Sequence, residues 1–334
     1  MDIAKKNKSI IAVEVSRGTT HDGPGMRTTV FVKGCPLSCR WCQNPESINT
    51  RQEIWYDVKK CIGCSNCVKA CINKALLVLN TDEHNNYLKI LHENCTGCCS
   101  CTETCPAKAI YPVSVSWEMD DLVHEVLKDK IYYNEFKGGV TVSGGEPMLY
   151  PDFILEFFKI MKLHGVNTAL DTSGYVNENT LMEVLPYTDI LLYDIKIYDD
   201  EQHIKYTGKS NHIIHSNLIK TADYLRSAKH ENKINAKKLW IRTPLIPECT
   251  ATKKNISQIA GFLNDSLIDI IDRWELCSFN SACAIKYTKM QKPWLYRGFN
   301  VMGQNEIDLI KSYALSRGFP ENKLFITGMV KNER

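Results

Sequence analysis

Short apolar runs alternating with longer amphipathic stretches dominate this chain. Residues 9–15 and 28–33 are apolar and β-branched, and they predict two short strands around the Gly- and Pro-bearing stretch 21–25. Past residue 113 the pattern becomes regular. Strand candidates at 140–142, 167–170, 190–193, 238–241, 270–276 and 324–327 are separated by helical patterns such as 119–130, 153–164, 211–229 and 255–264. Strands alternating with helices predict an α/β fold with a parallel sheet. No G-x-G-x-x-G follows the first strand, so a dinucleotide fold would lack its phosphate loop. A full or partial (β/α) barrel fits the pattern better.

In such barrels ligands sit at the C-terminal ends of strands. Four predicted strands run there into polar clusters: Ser143-Gly144-Gly145-Glu146-Pro147, Asp171-Thr172-Ser173-Gly174, Asp194-Ile195-Lys196 and Arg242-Thr243-Pro244. Taken singly, these read as a turn, a helix cap and a surface pair. Taken together at successive strand ends, they mark a ligand site. Two glycines let backbone approach a ligand closely, and Glu146 adds an acceptor.

Composition adds the decisive anomaly. A hydrophobic share of 44%, a charged share of 24% and a formal charge of +3 describe an ordinary folded chain. Lys5, Lys6 and Lys8 form an isolated basic tail, and no basic stripe with aromatics follows, so no nucleic-acid partner is expected. No apolar run approaches the roughly 20 residues that span a bilayer, and the first fifteen do not form a signal peptide. A cytoplasmic chain is expected. Yet it has fifteen cysteines, twelve of them between Cys35 and Cys105. Thiols stay reduced in the cytoplasm, so metal or cluster ligation explains them better than disulfides.

Spacing sorts them. Cys35, Cys39 and Cys42 read C-x-x-x-C-x-x-C, three thiolates where a 4Fe–4S cluster takes four, which leaves one iron open. A zinc site, or a fourth cysteine elsewhere, is the competing reading. Cys61, Cys64, Cys67, Cys71 and then Cys95, Cys98, Cys101, Cys105 each read C-x-x-C-x-x-C-x-x-x-C, the two-cluster ferredoxin spacing. In that pattern each fourth cysteine serves the other cluster. Cys61, Cys64, Cys67 and Cys105 are therefore assigned to one cluster, and Cys95, Cys98, Cys101 and Cys71 to the other. Pro106 follows Cys105 as expected, but Ile72 stands where proline is usual after Cys71. Cys99, Cys249, Cys277 and Cys283 are read as bystanders. The division that results is 10–50 for the start of the barrel, 51–113 for a ferredoxin-like insert, and 114–330 for the rest of the barrel.

The stretch from His21-Asp22-Gly23-Pro24-Gly25-Met26-Arg27-Thr28-Thr29 through Cys35, Cys39 and Cys42 to Asn44-Pro45-Glu46 resembles the glycyl radical enzyme activating enzymes of the radical S-adenosylmethionine superfamily. The four strand-end clusters follow in that family's order, and the paired insert resembles its long members. The resemblance implies a barrel of radical S-adenosylmethionine type. It implies that Cys35, Cys39 and Cys42 are the catalytic ligands, and that the 5′-deoxyadenosyl radical takes a hydrogen from a glycine of a partner enzyme. Gly144, Gly145 and Glu146 would hold the amino end of S-adenosylmethionine, Lys196 its carboxylate, and backbone at Trp41, Cys42 and Gln43 its adenine. Asp171 and Asp194 would hold a monovalent cation. Asn280 stands where the family commonly has a histidine, so the contact can persist but not a proton role. Three 4Fe–4S clusters and a flavodoxin or ferredoxin donor complete the expectation. The rivals are a radical S-adenosylmethionine maturase acting on another peptide or small molecule, and a ferredoxin-type electron-transfer protein.

Overall fold

The computed structural model describes residues 9–82, 85–230 and 237–331; Lys5, Lys6 and Lys8 fall outside them. Its strands in chain order are β1 (Ser9–Thr19), β2 (Arg27–Val32), β3 (Ile54–Tyr56), β4 (Leu76–Asp82), β5 (Asn85–Ile90), β6 (Ile110–Pro112), β7 (Val115–Glu118), β8 (Gly139–Gly144), β9 (Asn167–Thr172), β10 (Ile190–Asp194), β11 (Lys238–Leu245), β12 (Arg273–Ser278) and β13 (Leu324–Thr327). One nine-stranded sheet has the order β13-β12-β11-β10-β9-β8-β2-β1-β7. From β2 to β13 every neighbouring pair is parallel, and β1 runs antiparallel to β2 and β7. The large parallel sheet read from the sequence is present. Among the described residues β13 and β7 form two open edges.

The sheet nevertheless curls. Arg242 on β11 donates to Asp171 on β9 at 3.1 Å and to the His21 carbonyl before β2 at 3.3 Å. Strands lie about 4.8 Å apart, so β2 would be out of reach of one side chain on β11 if the sheet were flat.

Alternation along each strand separates two faces. Val142, Leu170, Tyr193, Ile241 and Trp274 share a core with Phe157 of helix Pro151–Leu163, Leu218 of helix His212–His230 and Ile259 of helix Lys253–Ser266. Ala169, Ile190, Leu192 and Trp240 form a small buried apolar group on the opposite, concave face. Beyond that group towards the C-terminal strand ends stand Asp194, Arg242 and Glu275, paired side by side in register.

Two boundaries differ from the sequence reading. β12 starts at Arg273, because Ile270 and Ile271 are buried in the turn after Leu267 instead of pairing. The helical pattern 119–130 breaks into Met119–Leu127 and Lys130–Glu135. At the break Asp129 turns inward to accept from Arg17 and Thr28, a tertiary contact that overrides local propensity.

Residues 54–112 fold around a second core of Ile54, Tyr56, Leu76, Leu88, Ile90 and Ile110, with Cys101 buried in it. β3 pairs antiparallel with β6, and β4 with β5. The two cysteine runs repeat each other feature by feature. Gly63 and Gly97, Ser65 and Cys99, and Lys74 and Lys108 all have positive φ. A short helix follows in each run, Asn66–Lys69 and Ser100–Glu103. Ala75 donates its N–H to the Cys71 sulfur and Ala109 its N–H to the Cys105 sulfur, each at 3.2 Å. Cys99 therefore occupies the left-handed turn position that Ser65 fills in the first run.

Candidate active site

The C-terminal ends of β2 and β8 build the site's floor. Past β2 the chain turns through Gly34, whose N–H donates to Ser47 O at 2.7 Å, and the Cys35 N–H donates to Ile48 O at 3.0 Å. Gly144 and Gly145 pack against this turn, with Gly145 N–H donating to Val32 O at 2.9 Å and Glu146 N–H to Gly34 O at 2.7 Å. A Cβ on Gly145 would lie 2.0 Å from Gly34 O, so no larger residue fits. The glycine pair thus brings β8 up to the cysteine loop.

Beyond the turn, Ser38 and Arg40 donate their N–H groups to Thr207 O (2.8 Å) and Tyr206 O (3.1 Å) of helix Asp200–Thr207. Trp41 is buried and packs near Tyr206. This lacing brings Cys35, Cys39 and Cys42 together, with Lys196 acting electrostatically on all three. Burial pushes each thiol up to about 12, so a metal must displace their protons to bind.

Lys196 bonds Asp194 at the end of β10. Burial opposes its charge, but Asp194 and the nearby thiols outweigh that and raise its pKa, so it stays an ammonium. Its backbone carbonyl is fixed by Asn255 Nδ2 at 3.1 Å. Ile195 is buried, and its carbonyl accepts from Thr243 Oγ1 at 2.7 Å. Asp171 accepts from Ser143 Oγ at 2.7 Å and from Arg242. Burial raises Asp171 to about 6 against the pull of Arg242, with Asp194 and Asp22 adding to the rise. Both carboxylates expected to hold a cation are thus already paired with protein cations.

The Glu146 side chain, expected to help hold an amino group, is engaged by the protein itself. Its carboxylate is fully buried and accepts from Thr172 Oγ1 (2.7 Å), Ser173 N (2.9 Å), Ser173 Oγ (2.6 Å) and Met148 N (3.1 Å). Four donors match a carboxylate's acceptor sites, so in this structure the side chain fastens the end of β8 to that of β9. Asn280 does lie at the cysteine loop, where its carbonyl accepts from Gln43 Nε2 at 3.2 Å.

Beside Arg242, which the sequence placed at a strand-end cluster, Glu275 and Arg273 carry charge on the concave face that the sequence reading left without a role. Glu275 bridges Arg242 (3.4 Å) and Arg273 (3.1 Å), and Arg273 lies between the rings of Trp240 and Phe325. The signal was present in Arg273-Trp274-Glu275-Leu276-Cys277, where polar residues recur every second position.

The second core brings cysteines of both runs together, with Cys101 buried in it and Cys61, Cys67 and Cys71 packed against it. Cys67 has Cys105, Cys61 and Cys64 as electrostatic neighbours, and Cys101 has Cys95, Cys99 and Cys71. A cavity is lined by Cys71, Cys95, Cys98 and Cys101 together with Cys99, Ile54 and Leu76. Among the described residues no three His, Cys, Asp or Glu side chains are gathered for a single metal ion. A cubane spreads its four thiolates over four irons and asks for wider spacing.

A family model described as a 4Fe-4S single cluster domain matches residues 21–215. The chain is 36% identical over 314 residues to the (2S)-3-sulfopropanediol dehydratase activating enzyme of Klebsiella oxytoca, covering 92% of this chain and 95% of that one. It is 36% identical over 287 residues to the trans-4-hydroxy-L-proline dehydratase activating enzyme of Clostridioides difficile, with 85% and 89% covered. A radical SAM methyltransferase from Sphaerobacter thermophilus aligns with a TM-score of 0.51 over 98% of this chain and 74% of its own, at 14% identity, which shows a shared fold alone. The chain belongs to the glycyl radical enzyme activating enzymes, a family of radical S-adenosylmethionine oxidoreductases. The matched model describes one cluster. No helix among the described residues is long and apolar enough to cross a membrane.

Proposed function

We propose that this chain cleaves S-adenosylmethionine reductively and activates a partner glycyl radical enzyme by taking a hydrogen from one of its glycines. The observation that carries the site assignment is the meeting of three half-buried thiols, with Lys196 as their shared electrostatic neighbour, at the C-terminal mouth of a parallel sheet. When bound there, a 4Fe–4S cluster offers S-adenosylmethionine one iron without a thiolate and the electron that breaks its S–C5′ bond.

The chain's own residues hold and orient. Cys35, Cys39 and Cys42 would ligate the cluster. Lys196, kept charged by Asp194, pairs with the substrate carboxylate. Backbone at Gly144 and Gly145 receives the amino end, while Glu146 keeps that backbone in place from behind. Backbone at Trp41, Cys42 and Gln43 faces the adenine, and the Asn280 amide supplies hydrogen bonds beside it. A monovalent cation between Asp171 and Asp194 would have to compete with Arg242 and Lys196.

Residues 51–113 are proposed as a ferredoxin-like insert between barrel segments 10–50 and 114–330. Cys61, Cys64, Cys67 and Cys105 would hold one further 4Fe–4S cluster, and Cys95, Cys98, Cys101 and Cys71 another. The repeated turns, the sulfur-directed N–H groups and the four-cysteine cavity support this. The insert would relay electrons from a flavodoxin or ferredoxin in the cytoplasm, where thiols stay reduced.

The test is anaerobic reconstitution, reduction, and assay for 5′-deoxyadenosine with S-adenosylmethionine. Product is expected without the partner, and a glycyl radical signal when the partner is added. Folded, iron-loaded protein that forms no 5′-deoxyadenosine would overturn the proposal.

A further inference from the structure

Covalently, the cysteine-rich segment hangs on a two-strand neck. Gln52 closes that neck by pairing its side chain with the Ser114 N–H (3.1 Å) and carbonyl (2.7 Å). A neck of this kind leaves rocking free. The chain crosses back to restrain it much later, at residues 280–292, and does so from both sides.

On the catalytic side, Tyr287 OH donates to Cys42 O at 2.9 Å. Lys286 Nζ donates to Asn44 Oδ1 (2.8 Å) and Glu46 Oε1 (2.6 Å), and Asn280 O accepts from Gln43. On the insert side, Gln291 acts as an added strand end: its Oε1 accepts from Ile90 N (2.8 Å) and its Nε2 donates to Leu88 O (2.6 Å). Lys289 Nζ reaches Tyr111 OH at 3.0 Å, and Lys292 Nζ reaches Glu53 Oε1 at 2.8 Å. The other Glu53 oxygen accepts from Lys33, a buried ammonium just beyond β2, at 3.1 Å. Gln291 holds a φ of +54°, a conformation that L side chains avoid. Such strain persists where surrounding contacts over-determine it.

We propose that residues 280–292 form a strut that fixes the insert against the Cys42–Glu46 loop and so sets the electron-transfer contact between them. Gln291, Lys289 and Lys292 are its positioning residues. The inference rests on the relay reading above. Electron transfer falls steeply with distance, so a relay cluster that rocks on its neck delivers electrons more slowly than one held at a fixed separation. One electron per cleavage enters from a reduced flavodoxin and leaves on the sulfonium of S-adenosylmethionine.

The experiment uses reconstituted holoenzyme and the variants Gln291→Gly and Lys289→Met. Glycine removes both side-chain bonds while suiting the positive φ, so the turn itself is kept. Iron content should match wild type. With dithionite, 5′-deoxyadenosine formation should be unchanged, and with reduced flavodoxin it should slow severalfold. Pulsed EPR of the fully reduced protein should show a broadened distribution of spin–spin coupling between clusters. Cys98→Ala is the control. If it slows the flavodoxin-driven reaction and the strut variants do not, the strut is wrong and the relay stands. If Cys98→Ala leaves the flavodoxin rate unchanged, the relay itself is wrong. Equal loss of rate with both donors in the strut variants would make residues 280–292 merely structural and overturn the proposal.

Discussion

Arg27 shows how a motif residue can serve the fold. It closes the D-G-P-G-M-R block, yet it is fully buried at the foot of β2, away from the cysteine loop. Its guanidinium donates to Thr141 Oγ1 (2.7 Å), Val140 O (2.7 Å), Asn167 Oδ1 (3.1 Å) and Pro24 O (3.3 Å), tying β2, β8 and β9 together at their N-terminal ends. Burial lowers its pKa to about 10, so it remains charged. Arg27→Met leaves those acceptors unpaired and should cost on the order of 3 kcal/mol, read from an anaerobic denaturant melt. A loss below experimental error would show that water replaces the guanidinium. His215 gives a pH dependence. It stacks on Tyr198 and packs against a tilted Phe262, each 5.1 Å away, and burial lowers its imidazole to about 4. The unfolded chain takes up that proton below about 6.5, so the stability is complete above that pH and lost as pH falls towards 4. Between pH 7 and 5.5 wild type should lose about 1 kcal/mol more than His215→Phe. Parallel losses in the two proteins would place the sensitivity elsewhere.

At the scale of elements, strands were legible wherever apolar runs ended in a polar cluster, because burial and ligand chemistry both leave marks on residue type. β13 was read at its observed bounds, and β8 to β10 were found with their ends trimmed. Residues whose role depends on tertiary direction were not legible. Nothing in Ser-Gly-Gly-Glu-Pro says that Glu146 meets the hydroxyls of Thr172 and Ser173; the parallel pairing of β8 with β9 sets them beside it. Asp129 ends a helix through Arg17 and Thr28, which lie far away in sequence. Cys99 was legible by spacing, and its match to Ser65 explains why an extra thiol is tolerated there. The paired runs make their own prediction. Cys64→Ala or Cys98→Ala removes a ligand from one proposed cluster, so both should slow turnover with a flavodoxin donor more than with dithionite. Equal loss with both donors, joined to a lower melting temperature, would mean that the runs only staple a domain too small to own a large core.

For the whole molecule, the question is how two cores would divide the labour of holding the proposed clusters. The larger core lies between sheet and helices; Cys39 packs against it, and the loop of Cys35, Cys39 and Cys42 is held by backbone bonds to Ile48, Thr207 and Tyr206. The smaller core includes Cys101, with Cys61, Cys67 and Cys71 packed against it. Under the proposed ligand sets, metal binding and folding would be coupled differently in the two parts. The loop of Cys35, Cys39 and Cys42 is braced by the large sheet core, whereas the few apolar residues of the second core pack directly on Cys61, Cys67 and Cys71, ligands under the proposal above. Cys39→Ala should leave the sheet and the insert intact. Fully reconstituted wild type should carry about twelve irons, and Cys39→Ala about eight, at four per cluster. The variant should form no 5′-deoxyadenosine while keeping the absorbance and reduced EPR signals of the remaining clusters. Chelation should reverse the order of loss: the insert, whose core depends on its ligands, should become protease-sensitive while fragments of the sheet stay resistant. An iron count near four in well-folded wild type would refute the two further clusters. Robust product from Cys39→Ala would show that the reacting cluster lies elsewhere.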